Sequence, residues 1–156
     1  MAQRDTIYAL SSGGLPSGVA VIRLSGSATG DVLRSMTGGS LPPPRQLGLR
    51  NLTDAADNFL DRGLVVFFPG PMSFTGEDCG ELHIHGGRAV VAAVLNALGQ
   101  QEGLRQAEAG EFTRRAFLEG KIDLTRAEGL ADLIAAETDA ERRLAVATSG
   151  GVLDRL

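Results

Sequence analysis

Residues 67–87 read FFPGPMSFTGEDCGELHIHGG, an apolar run that breaks at Pro69-Gly70-Pro71 and leads into a dense group of ionisable residues. Successive side chains of a strand point to opposite faces of its sheet. A strand over residues 79–85 would therefore have one polar and one apolar face. The polar face would carry Cys79, Glu81, His83 and His85, while Leu82 and Ile84 would point into a core.

This polar face is compatible with two kinds of site. His83 and His85 could chelate a metal ion, with Glu81 or Cys79 as a further ligand, but a closed site needs four ligands and the chain has only two histidines. Alternatively, the carboxylate of Glu81 could accept two parallel N–H donors from an organic ligand. With no function, Cys79 would be a small buried residue and His83 a half-exposed strand residue.

Two cations in distant parts of the sequence suit the organic ligand. Arg23 interrupts the apolar run 18–24, where a charged side chain needs a partner or a ligand unless it reaches water at the strand end. Together with Lys121 it would contact anionic or carbonyl groups of the ligand that Glu81 binds. The Gly86-Gly87 turn would let backbone approach that ligand, and the helix that follows would favour anionic groups at its N-terminus.

Strand and helix patterns alternate along most of the chain. Apolar and β-branched runs predict strands over Thr6 to Leu10, Gly18 to Leu24, Arg45 to Leu52, Leu60 to Phe68 and Leu104 to Ala107. One helix is predicted over Ala28 to Met36, capped by Ser25 or Ser27 and ended by Gly38 and Gly39. A second is predicted over Gly87 to Gln100, where the alanine-rich sequence is apolar almost all round and indicates a buried helix.

The pattern changes from Glu111 onward, where charges are mixed with alanine and leucine. It predicts a short helix, a break at Gly120 and then a longer amphipathic helix or helix pair. The segment from Thr125 to Glu128 fits a capping box, unless Asp123 caps that helix instead. Amphipathic helices need a surface that covers their apolar stripe, so we expect a fragment, or a module that another chain completes.

Composition excludes several classes of protein. The 156 residues are 43% hydrophobic, which is enough for a core, while a net charge of -4 and 4% aromatic residues argue against autonomous nucleic-acid binding. One cysteine excludes an internal disulfide and fits a reducing compartment. The sequence has no signal peptide, no membrane-spanning run, no phosphate-binding loop and no serine nucleophile elbow, so we expect a cytoplasmic protein.

Three segments together resemble the N-terminal region of the tRNA modification GTPases called MnmE or TrmE. They are GVAVIRLSG (18–26), FPGPMSFTGEDCGELHIHGG (68–87) and AGEFTRRAFLEGKIDLTRAEGLADLI (109–134), and they occur in the family's order. The resemblance implies an α+β fold: a mixed β-sheet folate-binding domain with packed helices, like that of aminomethyltransferases. This domain would cover residues 1–120, and residues 121–156 would begin an α-helical domain.

The resemblance also implies a function and a set of site residues. The domain would bind 5-formyl-tetrahydrofolate or a related reduced folate through Arg23, Glu81 and Lys121, and it would form a homodimer. With the flavoprotein GidA, also called MnmG, the family adds a carboxymethylaminomethyl group to the wobble uridine of certain tRNAs. The tRNA would be bound by the full complex. No catalytic or metal-binding residue is assigned, because GTP, Mg and K would bind in a GTPase domain that this sequence lacks.

Two departures from the family pattern leave alternatives open. The first loop reads SSGGLPSG (11–18) and lacks the arginine of the family's Pro-Gly-Arg-Gly-Gly stretch. Position 80 is glycine where a bulkier residue is common, which is expected to loosen the strand beside Glu81. The alternatives are a small metal-dependent enzyme that uses His83 and His85, and a dimerisation arm without a ligand.

Overall fold

A computed structural model of the chain describes residues 5–122 and 134–136. The elements run, in chain order, β1 (Thr6–Leu10), β2 (Val19–Ser25), α1 (Thr29–Met36), β3 (Gly48–Thr53), β4 (Phe59–Phe68), β5 (Cys79–His85), α2 (Arg88–Gly99), β6 (Leu104–Gln106) and α3 (Glu111–Leu118). This confirms the predicted α+β fold. The predicted capping box at Thr125 to Glu128, and most of the predicted amphipathic helix, lie outside the described residues.

The strands form one mixed sheet of six, in the order β3-β4-β5-β2-β1-β6. β6 runs parallel to β1, whereas the other neighbouring pairs are antiparallel. β5 and β2 lie in the middle, so the polar strand predicted over 79–85 is flanked on both sides by backbone hydrogen bonds. Its side chains are therefore held in a fixed register with those of β2 and β4.

The two faces of the sheet are covered differently. Leu10, Ile22, Leu82 and Val65 are paired across four strands and share one face, where they form the main core with α1 and α2. Burial of each such side chain stabilises the fold by about 1.5–3 kcal/mol. On the opposite face, a small cluster of Ile7, Ala9 and Phe112 seats α3 over β1. The middle of that second face is where the polar side chains of β5 point.

Helix α1 is capped by a distant residue and not by its neighbours. Ser25 and Ser27 were both candidates, but the backbone N–H of Ala28 donates to the Thr6 hydroxyl at 2.9 Å. Ser25 is occupied elsewhere, because its hydroxyl donates to Glu77 Oε1 at 2.7 Å. The predicted end of the helix is confirmed, with Gly38 and Gly39 at φ angles of 65° and 86°.

Two other predicted elements differ in extent or burial. Helix α2 buries one face only, through Val91, Val94, Ala97 and Leu98, because the sheet covers it from one side. β3 begins at Gly48 and not at Arg45. Arg45 has a left-handed backbone with φ of 65°, which a strand cannot accommodate. Its N–H nevertheless donates to the carbonyl of Phe67 in β4 at 2.8 Å.

Gly80 does not loosen β5. It is paired with Leu24 on one side and with Phe67 on the other. A Cβ atom at this position would lie 2.7 Å from Leu33 Cδ1 and 3.0 Å from Thr29 Cγ2, both in α1. The space that a larger side chain would need is therefore filled by the helix.

Candidate ligand-binding site

An open cavity of about 550 Å³ lies on the sheet face opposite the main core. Its lining comes from β2, β4, β5, the loop after β4, the segment before β3 and the residues that follow α3. The lining residues are Arg23, Arg45, Phe68, Met72, Ser73, Phe74, Cys79, Gly80, Glu81 and Lys121. The cavity thus combines an apolar wall with four charged side chains, which is the usual character of a small-molecule site.

The three residues predicted for the site all line this cavity. Arg23 and Glu81 are direct partners in the antiparallel pairing of β2 with β5, so their side chains lie side by side on one face. Lys121 reaches the cavity from the residues after α3, where its side chain packs over the loop between β4 and β5. There, a Cβ atom on Gly76 would lie 3.3 Å from Lys121 Cε.

Glu81 is held by His83, for which the sequence predicts either a metal ligand or a half-exposed strand residue. The imidazole Nε2 of His83 donates to Glu81 Oε1 at 2.8 Å, and the two side chains are 25% and 30% exposed. One carboxylate oxygen is therefore oriented by the strand itself. A carboxylate has about four lone-pair sites, so this contact leaves Glu81 able to accept a pair of donors from a ligand.

Arg23 finds its partners in aromatic rings. Its guanidinium carbon lies 4.9 Å from the ring centroid of Phe74 and 5.4 Å from that of Phe112. These cation–π contacts account for a charged residue inside an apolar strand. Phe112 belongs to α3, while Phe74 belongs to the loop after β4 and is 45% exposed. Arg23 consequently links the two elements that border the cavity.

The loop of residues 69–78 forms one wall of the cavity and is fixed by several hydrogen bonds. Asp78 Oδ1 accepts the Gly70 N–H at 2.8 Å, and the Ser73 hydroxyl donates to the Glu77 carbonyl. Arg45 Nη2 donates to the carbonyls of Pro69 and Met72 at 3.2 and 2.9 Å. The exposed side chains of Met72 and Phe74 are therefore presented on a loop with a defined shape.

A buried ionic network attaches α3 to this wall. Arg115, whose side chain is 6% exposed, pairs with Glu77 at 2.9 Å and with Glu111 at 3.2 Å. Burial alone would raise the pKa of Glu111, but hydrogen bonds from Arg105 and the Glu108 N–H, with the charges of Arg105 and Arg115, lower this pKa to about 2. The hydrogen bond to Glu111 and its charge, with a contribution from Asp5, raise the pKa of Arg105. The sequence does not predict this network, because the same charge pattern occurs on helices whose charged side chains are exposed to solvent.

The Gly86-Gly87 turn does not contribute to the cavity lining. A side chain on Gly86 would collide with the carbonyl of Ser17, so the close backbone approach is to the first loop and not to a ligand. His85 Nδ1 lies 2.9 Å from Asp61 Oδ1, and the His85 N–H donates to Asp61 Oδ2 at 2.9 Å. His85 therefore anchors the turn on a buried carboxylate.

The metal-site alternative is not favoured. His83 is bonded to Glu81 and His85 to Asp61, so the two imidazoles have separate partners. Within residues 5–122 and 134–136, no group of three histidine, cysteine, aspartate or glutamate side chains could hold a metal ion. Cys79 is buried, with its sulfur 3.1 Å from the hydroxyl of Thr75.

Sequence reasoning also missed much of the cavity wall. The sequence predicts Arg45 in a strand, and it predicts no role for Met72, Ser73 or Phe74. The Pro69-Gly70-Pro71 break was a signal that the chain leaves the sheet beside the polar strand.

In the described part of the chain, no helix is long and apolar enough to cross a membrane.

Comparison with known proteins supplies a family. Residues 6–121 match the family described as "GTP-binding protein TrmE N-terminus". Proteins named tRNA modification GTPase MnmE are similar to the chain: 63% identical over 147 residues in Sinorhizobium medicae, 62% over 153 in Chelativorans sp. and 58% over 148 in Brucella anthropi. These matches cover 94%, 98% and 95% of the chain but 33%, 34% and 33% of the relatives. The chain thus spans about a third of their length.

Proposed function

The chain belongs to the MnmE, or TrmE, family of tRNA modification GTPases, whose N-terminal region it matches, and on this basis we propose that it is a folate-binding and homodimerisation module. The ligand is a reduced folate such as 5-formyl-tetrahydrofolate, and the site is the cavity beside Glu81. The chain holds this ligand and performs no chemistry by itself.

One observation carries the proposal: Arg23, Glu81 and Lys121 line a single cavity although they are far apart in the sequence. A folate combines a ring edge that carries N–H donors with carbonyl and carboxylate acceptors. Glu81 accepts the amino and ring N–H donors of the pterin, as a carboxylate accepts a bidentate donor pair. Arg23 and Lys121 contact the carbonyl or carboxylate oxygens, and the rings of Phe68 and Phe74 provide apolar cover.

The module acts within a larger assembly. The folate supplies a one-carbon unit to the reaction in which the full protein, together with GidA (MnmG), adds a carboxymethylaminomethyl group to C5 of the wobble uridine. GTP, Mg and K bind to the GTPase domain of the full protein, and the tRNA is bound by the full complex. The acidic character of this chain, with a net charge of -4, is consistent with that division of roles.

A titration of the chain with 5-formyl-tetrahydrofolate, followed by calorimetry, tests the folate site. Glu81→Gln keeps the size of the side chain but removes the charged acceptor, so it should weaken binding by about 1.5–3 kcal/mol. Glu102→Gln is the matched control, because Glu102 is exposed and does not line the cavity. This control should bind as the wild type does.

Each alternative outcome has a distinct meaning. Wild-type binding with unchanged affinity in Glu81→Gln would contradict the role of Glu81 as pterin acceptor. No binding by the wild-type chain would contradict the folate function and would favour a dimerisation arm without a ligand. Saturable zinc binding that is lost in His85→Ala would instead revive the metal-dependent enzyme.

A further inference from the structure

We propose that Arg45 forms a second subsite of this cavity, one that binds the carboxylates of the folate tail. The proposal rests on the folate function and extends it to the specificity of the site. Folates carry their glutamate tail at the end of the molecule remote from the pterin. A residue that selects this tail must therefore lie at a distance from Glu81.

The charge balance of the cavity favours an anion beyond Glu81. Among the lining residues in the described part of the chain, three cationic side chains, Arg23, Arg45 and Lys121, face one carboxylate. That carboxylate already accepts a hydrogen bond from His83. A ligand with one donor-rich end and one anionic end would complement this distribution, whereas a neutral pterin alone would leave cationic side chains uncompensated.

The sheet register places Arg45 on the far side of Glu81 from Arg23. Glu81 pairs with Arg23 across β2 and with Val66 across β4. The Arg45 N–H bonds to Phe67, the residue after Val66, on the edge of β4 that faces away from β5. Arg45 and Arg23 are thus separated by three strand spacings, roughly 14 Å at about 4.8 Å each. A ligand whose pterin lies at Glu81 can extend its tail across β4 toward Arg45.

The guanidinium of Arg45 is already oriented. Its Nη2 donates to the carbonyls of Pro69 and Met72, and its own backbone is held in a left-handed conformation by the bond to Phe67. In residues 5–122 and 134–136, its Nε and Nη1 atoms have no hydrogen-bond acceptor. An arginine presents its remaining donors as a rigid fork that matches a carboxylate.

The test compares two ligands that differ only in the tail: 5-formyl-tetrahydrofolate and the methylamide of 5-formyl-tetrahydropteroate, in which a neutral methylamide replaces the glutamate. We expect wild-type chain to bind the tail-bearing ligand more tightly, and Arg45→Gln to reduce this preference roughly fivefold, as for a partly exposed charged hydrogen bond. Any loss of affinity for the tail-less ligand, through the contacts of Arg45 with the loop, should be smaller than the loss for the tail-bearing ligand. Arg50→Gln is the matched control, because Arg50 is half-buried, also donates to backbone carbonyls, and does not line the cavity.

Other results would overturn the subsite. An equal loss of affinity for both ligands in Arg45→Gln would mean that Arg45 only holds the loop. If that variant does not fold, the wild-type preference can be measured against salt, since an ionic contact weakens as salt rises; a preference independent of salt would contradict the proposal. Equal wild-type affinity for both ligands would remove the tail subsite but keep the folate function. Binding of neither ligand would remove both.

Discussion

The carboxylate of Glu81 accepts a hydrogen bond from His83, two residues further along the same strand. This contact holds one oxygen in place, so the lone pairs that remain point in a defined direction before any ligand arrives. A preoriented acceptor binds more tightly than one that must be ordered on binding. His83 is therefore a positioning residue whose effect is transmitted through Glu81.

Replacement of His83 should weaken folate binding less than replacement of Glu81. We expect His83→Ala to cost about 0.5–1.5 kcal/mol of binding free energy, the net value of one hydrogen bond. Calorimetry with 5-formyl-tetrahydrofolate measures this cost. In the double variant with Glu81→Gln, the effect of His83→Ala should largely disappear, because the group that it orients has changed.

His85→Ala is the control for that experiment. His85 lies on the same strand but bonds to Asp61 and is outside the cavity lining. Its replacement should leave folate affinity unchanged. Equal losses in the two histidine variants would show that the effect is a general loosening of β5, and would contradict a specific role for His83.

At the scale of elements, α3 is joined to the cavity wall by ion pairs that depend on pH. The pKa of Glu111 falls from 4.5 to about 2 in the folded chain. A lowered folded-state pKa contributes stability that is fully present above the unfolded value, and that is lost as pH falls through the folded value. The contribution is at most about 3 kcal/mol, and it should decline between roughly pH 5 and pH 2.

Urea unfolding across this pH range measures the effect. The difference in unfolding free energy between wild type and Glu111→Gln should be largest near neutral pH and should shrink as pH falls toward 2. Glu108→Gln, an exposed glutamate in the same turn, should show no such trend. A difference that stays constant from pH 7 to pH 2 would contradict the ionic role of Glu111.

Elements whose cause is local were predictable from the sequence. The alternation over residues 79–85 gave β5 and its two faces, and Gly38 with Gly39 gave the end of α1. Contacts between distant residues were not predictable. The cap of α1 comes from Thr6, which is 22 positions from Ala28. No rule for neighbouring residues can identify such a cap, because it depends on the pairing of β1 with β2.

The candidate site was predictable only in part, for the same reason. Arg23, Glu81 and Lys121 were found from their chemistry and from family resemblance. Arg45 was missed because its left-handed backbone interrupts a pattern that otherwise indicates a strand. Phe74 was missed because an exposed aromatic residue in a loop carries no signal until the loop is seen to lie over Arg23.

At the scale of the whole molecule, the uncovered part of the sheet face supports the proposed homodimer. Leu49 pairs with Leu64, and Leu64 with His83, so these side chains share the face that carries Glu81. Leu49 and Leu64 are 47% and 36% exposed, and Val19, which lies on the far side of β5 in β2, is 57% exposed. Exposed apolar side chains grouped on one sheet face are often covered by another chain.

Light scattering of the chain should give the mass of a dimer. Leu49→Lys should shift the equilibrium toward monomer, because it places a charge in the proposed contact. Leu118→Lys is the control, since Leu118 is 64% exposed but lies on α3. A wild-type chain that remains a monomer at high concentration would contradict the proposed dimer.

Gly80 in β5 and Leu33 in α1 pack directly against each other. Because Leu33 Cδ1 would lie 2.7 Å from a Cβ atom at position 80, a larger residue there requires the Leu33 side chain to move or to be smaller. Relatives with a larger residue at position 80 should therefore have a smaller residue at position 33, or a helix α1 that is shifted away from β5. The spacing between α1 and β5 thus depends on the residues at positions 33 and 80. It can change in relatives without any change at Glu81.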